Sequence, residues 1–499
     1  MKKHIYNILF FFSIFIIILF IKLAIPLNDL DEIWNYNIAR NIADGLIPYK
    51  DISMITSPLL GMITAVFLKL IANELIVTRI LNAILATLIL YSLYQTMNIL
   101  KISKNINYLV IIILLIILKE YFCLDYNWAV ALMGIIILNL ELFNLENKEK
   151  DKSNFKYNFL IGNLVGIAIC FKQSIGLLIA IIAILYNLIF IQRRKDIVEF
   201  IKRTIIRICG IFLPISILIL YLFYNNALYE FVDYCILGIK TFSNSISYIN
   251  LIREKNILLR VISILIPTIY LITSIKIIIN INRGKDIKIL FTILGYSVSL
   301  FAISFPIANG IHLLIGSLPS LILFVYTLNL VIIKYSKFKI KIDDTFMKIM
   351  LFIFLIILLI GTASNFYKAY KEYGLSKDLK HFKYIPISKS LTDSIKDMDS
   401  YLLNFNNKVY ILDSTAAVYM IPIDKYNKDY DMFNLGNFGG RGEFGKIKDL
   451  EEENNIIVLI KNDSTIRNWQ NPEQVRKYIK ENWTKIDAIS VFDVYKKGI

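Results

Sequence analysis

The chain has 499 residues, 57% of them hydrophobic and only 19% charged, against about 25% charged in an ordinary soluble domain. With a formal net charge of +16, that balance excludes a soluble enzyme. It also excludes nucleic acid as the natural partner, because Lys and Arg sit in short clusters between apolar runs, the pattern of cytoplasmic loops.

Met1-Lys2-Lys3-His4 followed by the apolar run Ile5–Ile21 resembles a secretory signal. The run is longer than a signal core and no small-residue cleavage site follows, which predicts an uncleaved membrane helix over 5–26 with a cytoplasmic N-terminus. Further spans are expected at 79–100, 106–119, 127–145, 158–172, 174–191, 205–224, 258–281, 288–304, 311–333 and 346–363. Most approach the roughly 18 apolar residues that cross a bilayer, and their centres read as almost free of charge.

The stretch 57–72 decides the topology. If it lies flat on the membrane, the basic groups Lys101/Lys104, Lys148/Lys150/Lys152/Lys156, Arg193/Arg194/Lys195, Arg283/Lys285 and Lys337/Lys339/Lys341 all fall in the cytoplasm. Positive residues in short loops set orientation, so the interfacial reading is preferred. The expected architecture is a polytopic α-helical membrane protein of about eleven transmembrane helices. The membrane domain covers 1–363, with a first outer loop at 27–78, and a small extracytoplasmic α/β domain covers 364–499. Within the latter, strand-like runs occur at Lys408–Asp413, Ile456–Ile460 and Ile486–Tyr495, Gly-rich turns at Gly436–Gly445 and a helical stretch at Pro472–Glu481. The expected location is a cell membrane, multi-pass, with the N-terminus inside and the C-terminal domain outside.

Four cysteines, Cys123, Cys170, Cys209 and Cys235, form no CxxC and no metal-ligand spacing. Cys170 and Cys209 read as packing residues. A bridge between Cys123 and Cys235, both expected on the outer side, is left open.

The first outer loop holds the densest set of polar residues beside a span. Leu30, Trp34, Ile38 and Ile42 recur every fourth residue and Gly45 offers a helix stop, so a short amphipathic helix is expected at the interface. Asp29 with Glu32 fits a capping box and leaves Asp31 without a structural task.

The ordered set in this region is Asp31-Glu32, Ala39-Arg40-Asn41, Gly45, Pro48-Tyr49, Asp51, Ser57-Pro58-Leu59 and Thr78-Arg79-Ile80, with a looser continuation in Phe171-Lys172-Gln173-Ser174 and Phe305–His312. It resembles the membrane glycosyltransferases of the GT-C fold. The nearest branch is the bacterial one related to protein O-mannosyltransferases and lipid-A aminoarabinose transferases (glycosyltransferase family 39/83-like). One Pro, not two, precedes Leu59, a departure from many relatives. The resemblance implies transfer of a sugar from a polyprenyl-phosphate donor to an acceptor at the outer membrane face, with Asp31 as catalytic base. The acceptor class (glycan, glycolipid or protein) stays open.

That chemistry needs a base for the acceptor hydroxyl and cations for the departing phosphate. Asp31 and Glu32 are the candidate catalytic pair. Arg79, Lys172 and His312, at outer helix ends, are candidate phosphate contacts, each with a plainer alternative: Arg79 as an interface anchor, Lys172 as a turn residue, His312 as a structural histidine. Asp125 in the second outer loop and Asp51 are candidate substrate-binding acids. With only three His no cofactor or metal is required, although Asp31, Glu32 or Asp51 leaves room for a divalent cation. The alternatives are a transporter or flippase of lipid-linked sugars, which would place charges mid-membrane, and a membrane anchor for the tail, which would not need so many spans.

Overall fold

The computed structural model describes residues 2–498 apart from 28–29, 147–154, 192–193, 242–244, 336–343, 404, 406–407, 426–429, 431 and 463–470. Asp29 and the lysines at 148, 150, 152, 337, 339 and 341 therefore lie outside the described residues, as does Arg193.

Among the described residues eight helices are long and apolar enough to cross a membrane: Ile5–Ala24, Leu75–Ile99, Tyr126–Glu146, Gln173–Phe190, Asp196–Tyr224, Ile257–Asn282, Gly310–Val331 and Ile349–Tyr367. Leu59–Leu70, Lys104–Leu118, Phe155–Phe171 and Lys288–Ser304 are shorter apolar helices. The chain is thus a polytopic α-helical membrane protein with a small C-terminal sheet.

The bundle is packed as apolar interiors require, with no polar alternation to spare. Ile14, Ile17 and Ile18 of the first helix and Ala83, Ala86, Ile89 and Leu90 of the Leu75–Ile99 helix are fully enclosed in one core. Where attraction between helices cannot come from water exclusion, close backbone approach supplies it. A Cβ at Gly162 would collide with the Arg207 carbonyl, one at Gly166 with the Ile211 carbonyl, and one at Gly210 with the Phe159 carbonyl. Three glycines therefore let the Phe155–Phe171 and Arg194–Tyr224 helices touch backbone to backbone.

The spans hold a buried ion pair that was not singled out from the sequence. Glu141 and Arg207, 0% and 1% exposed, form an ion pair inside the bundle with Nη1 at 2.6 Å from Oε1. Tyr157 donates to Glu141 at 2.7 Å, and Arg207 also donates to Asn158 Oδ1 at 2.9 Å. The pair joins three helices and is closed off by its own partners.

The Leu59–Leu70 helix is only 12 residues, about 18 Å at 1.5 Å per residue, too short to span roughly 30 Å of hydrocarbon. It packs against the Asp31–Ala43 helix through Gly61, whose α-carbon side faces Ile38 and Ile42, and it presents Val66, Leu70 and Ile71 outward.

The tail begins after the Asp344–Tyr373 helix, which continues past 363. Its sheet is β1 (Lys408–Ile411), β2 (Ile456–Lys461), β3 (Thr484–Ile489) and β4 (Phe492–Lys496), ordered β1-β2-β4-β3. β1 and β2 are parallel, and the other pairs antiparallel. The run expected as one strand at 486–495 is a hairpin, broken at Ser490 with φ 52°. β2 is buried on both faces: Ile456, Val458 and Ile460 meet Val475, Ile479 and Trp483, while Ile457 and Leu459 share a core with Ile33, Tyr36 and Ala39 of the first outer loop.

That shared core adds to the reading of the 31–43 segment. It is a helix, stopped as expected at Gly45 (φ +97°), with Leu46 N–H donating to Asn41 O and Gly45 N–H to Ile42 O, a Schellman end. Eight of its 13 residues are buried, and the tail covers it: Trp34 Nε1 donates to Ser414 O at 2.7 Å and Arg40 Nη2 to Lys425 O at 3.1 Å. All four cysteines are unpaired; Cys235 is buried against Tyr49 OH and Ile55 O instead, so no Cys123–Cys235 bridge forms.

Candidate active site

The ends of the first helix, the Asp31–Ala43 helix and the Leu75–Ile99 helix meet at Arg79. Its Nε donates to Glu32 Oε1 at 2.7 Å and its Nη2 to Glu32 Oε2 at 2.9 Å. Nη1 donates to Lys22 O at 2.7 Å and Ile25 O at 2.6 Å, and Nη2 reaches Pro26 O at 3.4 Å. All five guanidinium N–H groups are thus directed at protein acceptors. The fork satisfies carbonyls at the C-terminal end of the first helix, which have no partner within it, and holds Glu32 in a bidentate pair. The capping box expected between Asp29 and Glu32 lies outside the described residues.

Asp31, one residue before Glu32, faces a cleft of about 140 Å³ lined by Lys22, Asn35, Asn82, Glu120, Cys123 and Asp125, among others. Its carboxylate accepts no hydrogen bond from the described residues. The residue is open to the cleft, yet the walls around it exclude enough water to raise the carboxyl above its ordinary range.

Asp125 lies in the same cleft. Its Oδ1 accepts from Asn127 N at 2.5 Å and Trp128 N at 3.1 Å, capping the Tyr126–Glu146 helix. Burial, reinforced by the Asp31 charge, pushes the Asp125 carboxyl up to about 7 against these hydrogen bonds. Lys172 sits in extended conformation (φ −149°, ψ 107°) at the break between the Phe155–Phe171 and Gln173–Leu185 helices. It donates to Asn127 Oδ1 at 2.6 Å and stands 5.3 Å from the Tyr126 ring centre. Burial lowers its ammonium to about 8, with Asp125 acting in the opposite direction. His312 is within electrostatic reach of Lys172, and its Nδ1 is 2.9 Å from Asn309 Oδ1.

Asp31, Asp125, Lys172 and His312 therefore form one neighbourhood. Asp51 does not belong to it: its Oδ2 accepts from Ile47 N at 2.8 Å and closes the turn that follows Gly45. No group of three or more His, Cys, Asp or Glu that could hold a metal ion occurs among the described residues. Since Glu32 is held by Arg79 and Asp51 by its turn, the acids proposed from sequence for a divalent cation do not converge.

An apolar groove adjoins the cleft. Leu124 lines both, and the groove continues along Leu60, Phe67, Leu85, Leu88, Met133 and Phe171, beneath the short Leu59–Leu70 helix and beside Lys172.

No protein-family model matches the sequence, and no curated protein matches it. Solved structures do match in shape. ArnT from Cupriavidus metallidurans in the apo state aligns with a TM-score of 0.57 at 10% identity, over 99% of this chain and 98% of that one. ArnT bound to undecaprenyl phosphate gives 0.56 at 10% identity, over 98% and 97%. Archaeal AglB from Archaeoglobus fulgidus, in complex with an inhibitory peptide and a dolichol-phosphate, gives 0.48 at 10% identity, over 90% of this chain and 69% of its own. The chain has the GT-C fold.

Within the GT-C frame, several residues of this neighbourhood were not singled out from sequence. Asn127, which holds Lys172, lies two residues after Asp125 and carried no separate signal. Lys22 directly follows the first apolar run and donates to Glu120 O at 2.9 Å; a lone cation near the outer end of a span was the available clue. Arg79 was singled out, and its N–H groups are directed at Glu32 and at the carbonyls of 22, 25 and 26.

Proposed function

We propose that this chain transfers a sugar from a polyprenyl-phosphate donor to an acceptor hydroxyl at the extracytoplasmic face, with Asp31 as general base. The observation that carries this reading is the shared wall at Leu124: a cleft whose Asp31 carboxylate has no hydrogen-bond partner among the described residues adjoins an apolar groove. ArnT, whose shape this chain shares end to end, has been seen bound to undecaprenyl phosphate, a ligand with this combination of anionic head and apolar tail.

In the proposed step the acceptor oxygen forms a bond to the anomeric carbon as the bond from that carbon to the phosphate oxygen breaks. The acceptor proton passes to Asp31, and the bonding pair leaves with the phosphate. A base works best when its pKa lies near the operating pH, and burial moves the Asp31 carboxyl upward in that direction. The negative charge developing on the leaving phosphate is met by Lys172, held in place by Asn127 and Tyr126. Asp125 keeps Lys172 charged. Arg79 and Glu32 position Asp31 without touching the reacting atoms.

The orientation follows the same logic. Lys101, Lys104, Arg283 and Lys285 lie at the helix ends opposite to Asp31, which by the positive-inside pattern makes the Asp31 end and the tail extracytoplasmic, with the N-terminus in the cytoplasm of a cell-membrane protein. Counting three of the shorter apolar helices as crossings gives about eleven spans, with domains at 1–363 and 364–499. The enclosed Glu141–Arg207 pair does not favour transport, since both partners are saturated by protein.

The test is mass spectrometry of the chain purified with native lipid. A co-purifying polyprenyl phosphate sugar is expected. Recovery of bulk phospholipid alone, under conditions that retain polyprenyl lipids on a control carrier protein, contradicts the proposal.

A further inference from the structure

A second cavity lies away from the Asp31 cleft, where three separate pieces of chain meet. It encloses about 390 Å³ and is lined by Tyr49 and Lys50 of the first outer loop, Tyr229, Glu230, Asp233 and Tyr234 of the Leu228–Cys235 helix, and Arg441 and Lys446 of the tail. The junction is built, not incidental. Gly440 N donates to Asp233 Oδ1 at 3.1 Å, and Gly439 (φ +65°) passes so close to Asp233 that a Cβ there would collide with Oδ2. Thr241 Oγ1 donates to Gly439 O at 2.7 Å. Lys446, 2% exposed, donates to Tyr234 OH at 2.9 Å and stands over the rings of Tyr234 and Tyr430.

The lining narrows the ligand class. The lining sets Glu230 and Asp233 against Lys50 and Lys446, and Arg441 is paired with Asp449 at 3.0 Å, so its charges nearly balance, which favours an uncharged ligand. The lining supplies both donors (Lys50, Lys446, the Tyr hydroxyls) and acceptors (Glu230, Asp233), which suits hydroxyl groups, each able to give and accept a hydrogen bond. Tyr229 is 77% exposed and offers a ring face against which the apolar face of a sugar can lie. Glu230 Oε2 is enclosed and accepts no hydrogen bond from the described residues, a cost that a hydroxyl donor would relieve. The volume falls in the roughly 300–1,000 Å³ range of small-ligand pockets.

We infer that this junction is a neutral-saccharide subsite, which on the proposed glycosyl-transfer reading holds the sugar part of the acceptor. That makes the tail an acceptor-binding element, and it makes a glycan or glycolipid the acceptor class in place of a bare polypeptide.

Saturation-transfer NMR of the full chain in nanodiscs tests it, with a panel of neutral mono- and disaccharides of glucose, galactose, mannose and N-acetylglucosamine. At least one member should bind wild type and Asp31→Asn alike, and lose affinity about tenfold in Tyr229→Ala and in Glu230→Gln. Tyr229 is at the surface and Gln matches Glu in shape, so neither change threatens folding. No saturation transfer from any member, or binding unchanged in both variants, overturns the subsite. Binding in this pattern by a protein that carries no polyprenyl phosphate sugar would keep the subsite and remove the transfer reading. A chain that carries the donor and transfers sugar with an unchanged acceptor KM in Tyr229→Ala would do the reverse.

Discussion

Two charge clusters in this molecule have opposite characters. Glu141 and Arg207 sit inside the bundle and are satisfied completely, by each other and by Tyr157, Asn158 and the Ala183 carbonyl. Asp31, Asp125 and Lys172 sit at the outer helix ends around a cleft, with Asp31 lacking a partner among the described residues and the other two displaced from their usual pKa values. Burying a charge costs free energy that only excellent pairing repays. The interior cluster achieves that pairing and serves packing. The rim cluster leaves it incomplete, and incomplete pairing beside a lipid-facing groove is the arrangement a reaction can use.

Substitutions should separate the two. Asp31→Asn is expected to lower sugar transfer by about 10²–10⁴-fold with the thermal unfolding midpoint unchanged; transfer near the wild-type rate would remove Asp31 as base. Arg207→Met is expected to do the converse. It strands Glu141 and should destabilise the chain by about 3–5 kcal/mol, with turnover per folded molecule preserved. A stable Arg207→Met protein that fails to transfer would move function into the bundle.

Lys172→Met should cost about 10²–10³-fold in kcat, read with saturating donor. Arg79→Lys keeps the charge but loses the planar fork, and about 1.5–3 kcal/mol of stability should go with the charged hydrogen bonds, visible in a melting curve. The smallest effect expected is on the pH profile. Asp31 must be ionised to act as base, and its pKa is raised, so the acid limb should lie above the ordinary carboxylate range. Lys172 must be protonated, and its pKa is lowered, so activity should fall as pH rises through about 8. Because Asp125 helps hold that proton, Asp125→Asn should shift the alkaline limb downward; a shift upward would contradict the coupling.

The same contrast shows what the sequence could reveal. Long apolar runs name membrane helices because nothing else accommodates 20 such residues, and the Asp31 loop stood out because charges crowd beside a span. Glu141 and Arg207 were visible as letters within apolar runs, but the eye passes over an isolated charge when its partner lies 66 positions away. The 31–43 helix was recognisable from its four-residue stripe and its Gly45 stop. That the tail covers it was not, because a stripe describes one face and says nothing of what meets the other. Arg79 looked like a phosphate ligand from its place at a helix start; its actual partners are mostly backbone carbonyls of 22–26, which leave no trace in side-chain patterns. The separation of Asp51 from Asp31 likewise depends on how the Pro48–Ile52 turn folds back.

The claim at the centre is that the rim carboxylate performs the chemistry on a lipid-held sugar. The mass of the bound carrier lipid, measured before and after mixing the purified protein with acceptor-bearing membranes, tests it directly. Wild type should convert its carrier from sugar-loaded to bare polyprenyl phosphate, while Asp31→Asn keeps the sugar-loaded form. Equal unloading by both proteins would contradict the account.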